Sequence, residues 1–194
     1  LQSGVYIERS GFNLSLWSNC GLRSRDHLNS DEVDYSIGYS YSLKDSFDLD
    51  MSLIFGYTYY DFPPAGTNSQ EVFFGIGWDV LLSPSFTWFH DFESENKGGG
   101  RGDYLLAEFG HSIQIGSSQL TLDLSGHVGY NRRLFISGEG SDLGLNIGLT
   151  FKVSENISIS PSLGYSLPLG DLRESGDGNQ RDEFSGGAAL VFNI

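Results

Sequence analysis

From Phe47 to Phe62 the chain reads FDLDMSLIFGYTYYDF, and its residues alternate. Phe47, Leu49, Met51, Leu53, Phe55, Tyr57 and Tyr59 fall on one side; Asp48, Asp50, Ser52, Ile54, Gly56 and Thr58 fall on the other. A period of two is the signature of a strand with one apolar face. The pattern recurs throughout and predicts eleven strands, near residues 4–9, 12–19, 32–43, 47–61, 71–82, 86–94, 103–115, 118–132, 142–153, 157–168 and 182–194. Rows such as Val33/Tyr35/Ile37/Tyr39/Tyr41/Leu43 and Leu143/Leu145/Ile147/Leu149/Phe151/Val153 form the apolar faces. The opposite faces are mostly Gly, Ser, Thr, Asn and acids.

The expected connections alternate between short and long. Ser10-Gly11, Lys44-Asp45-Ser46, Ser83-Pro84-Ser85, Gly116-Ser117 and Ser154-Glu155-Asn156 have turn chemistry. Between them lie CGLRSRDHLNSD, PPAGTNSQ, ESENKGGGRG, the ISGEGS segment and PLGDLRESGDGNQR. Opposed residues of an antiparallel hairpin share a face. Pairing Arg9 with Phe12, Leu43 with Phe47, Leu82 with Phe86, Ile113 with Leu120 and Val153 with Ile157 puts the apolar rows in phase in every hairpin. That consistency predicts an up-and-down meander.

Tight turns at one end and long polar loops at the other are the pattern of a transmembrane β-barrel of the bacterial outer membrane. A lipocalin-like barrel, apolar inside, is the alternative. The polar rows here are short of the Lys and Glu that normally solvate a surface, which favours lipid outside. The fold expected is therefore all-β, an up-and-down antiparallel barrel over residues 1–194 as a single domain. Eleven strands would leave the first and last parallel, whereas single-chain bacterial barrels normally have an even count. A twelfth strand, preceding LQSGVYIE, is the expected remedy; a homo-oligomer or a strand-donating neighbour is the alternative.

Composition narrows the partners. The net charge of −14 disfavours nucleic acid and suits small cations or other small solutes. Cys20 is the only cysteine, so no internal disulfide forms and no thiolate metal cage is built. No apolar run approaches the roughly 20 residues of a membrane helix, a test to which strands are invisible.

GFNLSLWSN at 11–19, EVDYSIGYSYSL at 32–43, GYTYYDFPPAGTNSQEVFFGIGWD at 56–79, LSPSFTWFHDF at 82–92 and GDYLLAEFGHSI at 102–113 together resemble the TorF-type porins of Gram-negative outer membranes. The resemblance covers most of the chain and implies an outer-membrane β-barrel with a pore role. Such proteins usually carry one more strand ahead of the LQSGVYIE segment, and many barrels finish on an aromatic residue, where this chain ends VFNI.

The polar rows carry Asp34, Asp48, Asp50, Asp79, Asp91, Glu108, Asp123, His127, Asn146 and Lys152, the lumen-lining candidates. Acids at one depth of a water-filled lumen favour cations, and a narrow porin or channel with a cation-preferring lumen is the function expected. A hydrogen-bonded plug made of the same groups is the other reading. Asp48, Asp50, Asp79, Asp123 and Lys152 fall nearer the short-turn end. Across the Gly116-Ser117 turn Glu108 is expected opposite Ser125, with Asp123 and His127 as diagonal neighbours. No catalytic motif accompanies that group, so no enzyme is expected.

Tyr57, Tyr59, Trp78, Trp88 and Tyr130 are candidates for the aromatic girdles at the edges of outer-membrane lipid. His90 and His111 fall on the apolar face, and His90 there calls for a rim position or a protein contact. The acidic loops ESENKGGGRGD and DLRESGDGNQRDE lack EF-hand spacing, so no metal or cofactor is expected. Arg101-Gly102-Asp103 spells an adhesion tripeptide and carries no weight alone. The competing function is a structural barrel that self-assembles edge to edge into an oligomer or extracellular filament.

Overall fold

In a computed structural model, residues 1–21, 31–63, 65–92, 101–116, 119–135, 138–174 and 180–193 are described. They form one sheet of eleven strands in sequence order, every neighbouring pair antiparallel. The strands are β1 (Gln2–Arg9), β2 (Phe12–Asn19), β3 (Glu32–Ser42), β4 (Met51–Phe62), β5 (Thr67–Trp78), β6 (Ser85–Asp91), β7 (Asp103–Gln114), β8 (Leu120–Arg132), β9 (Glu139–Lys152), β10 (Ile157–Gly170) and β11 (Glu183–Phe192). Two helical turns interrupt the meander, α1 (Lys44–Phe47) and α2 (Asp171–Glu174). The sheet is not closed: β1 and β11 are its edges, and both run towards the short-turn end.

The hairpins keep the expected phase, although three of them turn elsewhere than expected. Ser10 and Gly11 both take positive φ, the combination a two-residue turn of primed type needs, and Arg9 pairs with Phe12. Val153 likewise bonds to Ile157. Between β3 and β4, however, Leu43 meets Met51 rather than Phe47, because α1 and a left-handed Asp48 occupy 44–48. β5 ends at Trp78, whose N–H donates to the Pro84 carbonyl, so the turn begins at Asp79 and not at Ser83. In the third case Ile113 pairs with Leu122, not Leu120, and Ile115 closes on Leu120. Each correction shifts the register by an even number of residues, which is why the faces survive it.

On the other side, TNSQ belongs to β5, not to a loop. Phe62 pairs with Thr67, and the connection is a tight turn ending at Gly66 with φ 64°. β9 and β10 are also longer there than expected, pairing as far as Gly140 with Gly170.

The two faces are treated differently. Apolar side chains stay uncovered: Leu145 is 60% exposed, Leu163 64% and Phe184 84%. Among the described residues only Leu172, in α2, is a buried hydrophobe, so there is no conventional apolar core. On the polar face side chains instead converge, and the Tyr104 hydroxyl on β7 reaches past β8 to Asp142 on β9. Crowding on one face and splaying on the other is how a sheet curls, with the polar face inside. Strands of 10–14 residues in β7–β11 reach or exceed the roughly 9–11 needed to span a bilayer at a tilt.

Leu145 lies at the centre of the β8–β9 ladder, opposite Gly126. Replacing it with Arg should cost about 2–4 kcal/mol in urea titrations of protein folded into lipid vesicles. Ser162→Arg, on the opposite face, should change stability by no more than about 0.5 kcal/mol. Equal costs would contradict this assignment of faces.

Candidate functional site

The candidate site is the polar face itself. Alternation sends the even-numbered residues of β3, β4, β7, β9 and β10 to this side, and the odd-numbered ones of β5, β6, β8 and β11. Three groups of side chains occur along it.

Near the short-turn end, Asp123 accepts hydrogen bonds from Ser112 at 2.6 Å and from Thr150 at 2.8 Å, and Thr150 lies 3.1 Å from Ser160. Four strands, β7 to β10, are joined through one carboxylate. Lys152 is exposed at the end of β9, opposite Ser158.

In the second group Asp142 receives the Tyr104 hydroxyl at 3.0 Å and lies 2.8 Å from His127 Nε2. Glycines make room for both contacts. A Cβ at Gly129 would overlap the Tyr104 hydroxyl, and one at Gly144 would overlap the His127 ring. Glu108 stands across from His127, not from Ser125, because the β7–β8 turn is longer than two residues; Ser125 faces Gly110. No hydroxyl nucleophile is therefore aligned with the imidazole by this ladder.

The third group lies towards the long-loop end of β3 to β6. Glu71 and Asp91 are opposed and buried, Tyr60 donates to Glu71 at 2.9 Å, and the Ser69 hydroxyl donates to Asp91. Asp34 is nearby, one rung beyond Thr58, with an Oδ1 that is buried and makes no hydrogen bond to a described residue. Below the acids runs an aromatic row, Phe73 to Phe89 at 6.0 Å and Phe89 to Tyr104 at 6.2 Å. Asn146 lies between Ser125 and Gly164 on the same face.

Asp48, Asp50 and Asp79 stand in turns rather than on strands. Lys44 Nζ lies 2.8 Å from Asp50 and 3.0 Å from Asp48, and the Asp79 N–H donates to the Asp50 carbonyl. Hydrogen bonds to Asp50 and then Asp48 hold the Lys44 ammonium above the ordinary lysine range.

The aromatic candidates all lie on the apolar face. Trp78 is at the short-turn end, while Tyr59, Trp88 and Tyr130 lie towards the long-loop end, with Tyr57 one rung inside Tyr59. His111 is exposed opposite Leu124. His90 occupies the outermost rung of β6–β7, 2.9 Å from Asp103 and stacked on Trp88.

Sequence reasoning missed Tyr60, Glu71, Tyr104 and Asp142. Glu71 was expected to begin a strand that in fact starts at Thr67. Tyr60 meets Glu71 across the adjacent β4–β5 pair, whereas the Tyr104–Asp142 contact depends on three-strand register, with Gly129 and Gly144 as the local sign. Among the described residues no cluster of His, Cys, Asp and Glu is arranged to hold a metal ion. Of the two acidic loops ESENKGGGRGD and DLRESGDGNQRDE, residues 93–100 and 175–179 lie outside the described residues.

No family model and no curated protein sequence matches the chain. Solved structures do match. The NanC porin superposes with a TM-score of 0.63 at 14% identity, over 100% of this chain and 92% of that one. A loop L8 deletion mutant of OmpT, an outer-membrane protein of Vibrio cholerae, superposes with a TM-score of 0.50 at 10% identity, over 99% of this chain and 62% of that one. At such identities the likeness is one of fold: an up-and-down β-barrel of porin type.

Gly129→Ala should destabilise the protein by about 1–3 kcal/mol through overpacking against Tyr104. In a Tyr104→Ala background most of that cost should vanish, a coupling of about 0.5–3 kcal/mol in a double-mutant cycle. Additive losses would show that the Tyr104 crossing is not what requires a glycine.

Proposed function

We propose that the chain forms the wall of a narrow outer-membrane channel that prefers cations. The observation that carries this reading is the sorting of the two faces. An apolar surface left exposed on strands long enough to span a bilayer suits lipid, and a polar, charge-bearing inner face suits water. The porin-type fold supports the same reading, as do the TorF-type sequence blocks, which favour that family within it.

Closure follows from strand direction. β1 and β11 run the same way, so one strand antiparallel to both would complete a barrel of twelve, placed before LQSGVYIE as the resemblance implies. Ion preference rests on charge. Glu8, Glu32, Asp34, Glu71, Asp91, Glu108, Asp123, Asp142 and Glu183 face inward, whereas Lys152 is the one Lys or Arg on that face of the described strands. Carboxylates lining a low-dielectric cavity raise the local concentration of cations. Trp17, Tyr60, Phe73, Phe89 and Tyr104 point the same way and narrow the bore.

Planar bilayers test the proposal. Discrete currents are expected, with a reversal potential showing cation preference under a salt gradient. That preference should fall in a Glu108→Gln, Asp123→Asn double variant. Silent bilayers would end the channel reading, and an unchanged reversal potential would end the role of the inner carboxylates.

A further inference from the structure

The charged groups on the outward face of the β6–β9 strands need a separate explanation, since that face is otherwise apolar. They gather at the long-loop end around a cavity of about 320 Å³ lined by Trp88, Asp103, Leu105, Tyr130 and Arg132. Its rungs are ordered by polarity. Phe86, Ala107, Val128 and Leu143 form an apolar rung; Trp88, Leu105 and Tyr130 lie one rung outward; His90, Asp103, Arg132 and Glu139 lie beyond them. The cavity thus straddles the change from hydrocarbon-like to polar surroundings.

We infer that this cavity is a binding site for the sugar headgroup of a membrane glycolipid. The inference rests on the outer-membrane reading above, which turns this face towards lipid. Two aromatic side chains, about a third exposed, offer surfaces for the C–H face of a sugar ring: Trp88 at 36% and Tyr130 at 38%. The indole is held in place, because its Nε1 donates to Asp103 at 3.0 Å and its ring stacks on His90 with 19° between planes. Tyr130 is held by donating to Glu139 at 2.7 Å.

Polar groups of both signs remain available to the ligand. Arg132 lies 4.0 Å from Asp103 and 3.9 Å from Glu139, beyond hydrogen-bond range, so those ion pairs leave its guanidinium donors free to reach a ligand. Asp103 Oδ2 is not used by Trp88 or His90, which both meet Oδ1. A bare anion would meet two carboxylates here and a bare cation the guanidinium. A ring of hydroxyls, donating to Asp103 and accepting from Arg132, satisfies both. Leu105 on the cavity floor leads to the apolar rung where acyl chains would continue, which selects a lipid-borne sugar over a free one.

The probes are monoglucosyl diacylglycerol, methyl glucoside, phosphatidylethanolamine and phosphatidylglycerol. Each is added to the protein folded in a detergent without sugar, and retained ligands are counted by native mass spectrometry. The glucosyl lipid should be retained in preference to both phospholipids, and Arg132→Gln or Trp88→Ala should lower its retention at least tenfold. Trp78→Phe, at the opposite end, should leave it unchanged. Heat-modifiable migration on gels verifies folding, and if Trp88→Ala does not fold, Arg132→Gln decides. Equal retention of the phospholipids, or full retention by the variants, would overturn the site. Binding of methyl glucoside at the same concentrations would overturn the lipid source. A protein that folds in detergent but will not insert into bilayers would sink the outer-membrane reading, and this proposal with it.

Discussion

Every part of this structure depends on the pairing of backbone N–H and C=O groups between neighbouring strands. Inside a bilayer there is no water to substitute, and each unpaired group costs several kcal/mol. The eight residues of β1 leave half of their backbone groups facing outward from the sheet, and the ten of β11 do likewise. Such a sum exceeds the roughly 5–15 kcal/mol by which a folded domain is stable, so an open edge in lipid would not persist. On the proposed outer-membrane reading, a closing strand would run antiparallel to both edges.

With the backbone satisfied by the ladders, side chains are free to sort by face. On the proposed reading the outward rows meet lipid instead of a core, which would account for a chain whose single buried hydrophobe, among the described residues, sits in α2. The inward rows build their own cohesion from polar contacts. Asp123 ties β7 through β9 directly and β10 through Thr150; Asp142 ties β7, β8 and β9. Buried polar groups of this kind are favourable only when partnered, so glycines that let Tyr104 and His127 reach Asp142 are part of the network. Electrostatics at the two ends differ. Lys44 pairs with Asp48 and Asp50 at the short-turn end, whereas in the opposite half Tyr60 donates to Glu71 and Ser69 to Asp91.

Much of the fold was legible because the strand period is two and a register error of two residues changes nothing about which face a residue takes. The same degeneracy hid the turns. Phe47 and Leu49 continue the alternation of β4 in sequence, yet the chain there coils into α1, with Asp48 in a left-handed conformation and paired with Lys44. Val80 and Leu82 extend the row of β5 in the same deceptive way. At the long-loop end, polar segments such as TNSQ carry no apolar signal and become strand only through pairing with β4. The candidate site was legible as a set of inward acids but not as a set of contacts. Which carboxylate meets which donor depends on exact register across three strands, and the expected Glu108–Ser125 opposition became Glu108–His127 when one turn grew by two residues.

The central claim is that one face of this sheet lines water and the other meets lipid. Cysteine accessibility tests it most directly, in a Cys20→Ser background with single cysteines from Leu143 to Phe151 along β9 and a membrane-impermeant maleimide added to protein in vesicles. Positions 146, 148 and 150 should label, while 143, 145, 147, 149 and 151 should stay protected; Gly144 is left unsubstituted because a Cβ there would overlap the His127 ring. Labelling of both sets at similar rates, or protection of both, would contradict the account.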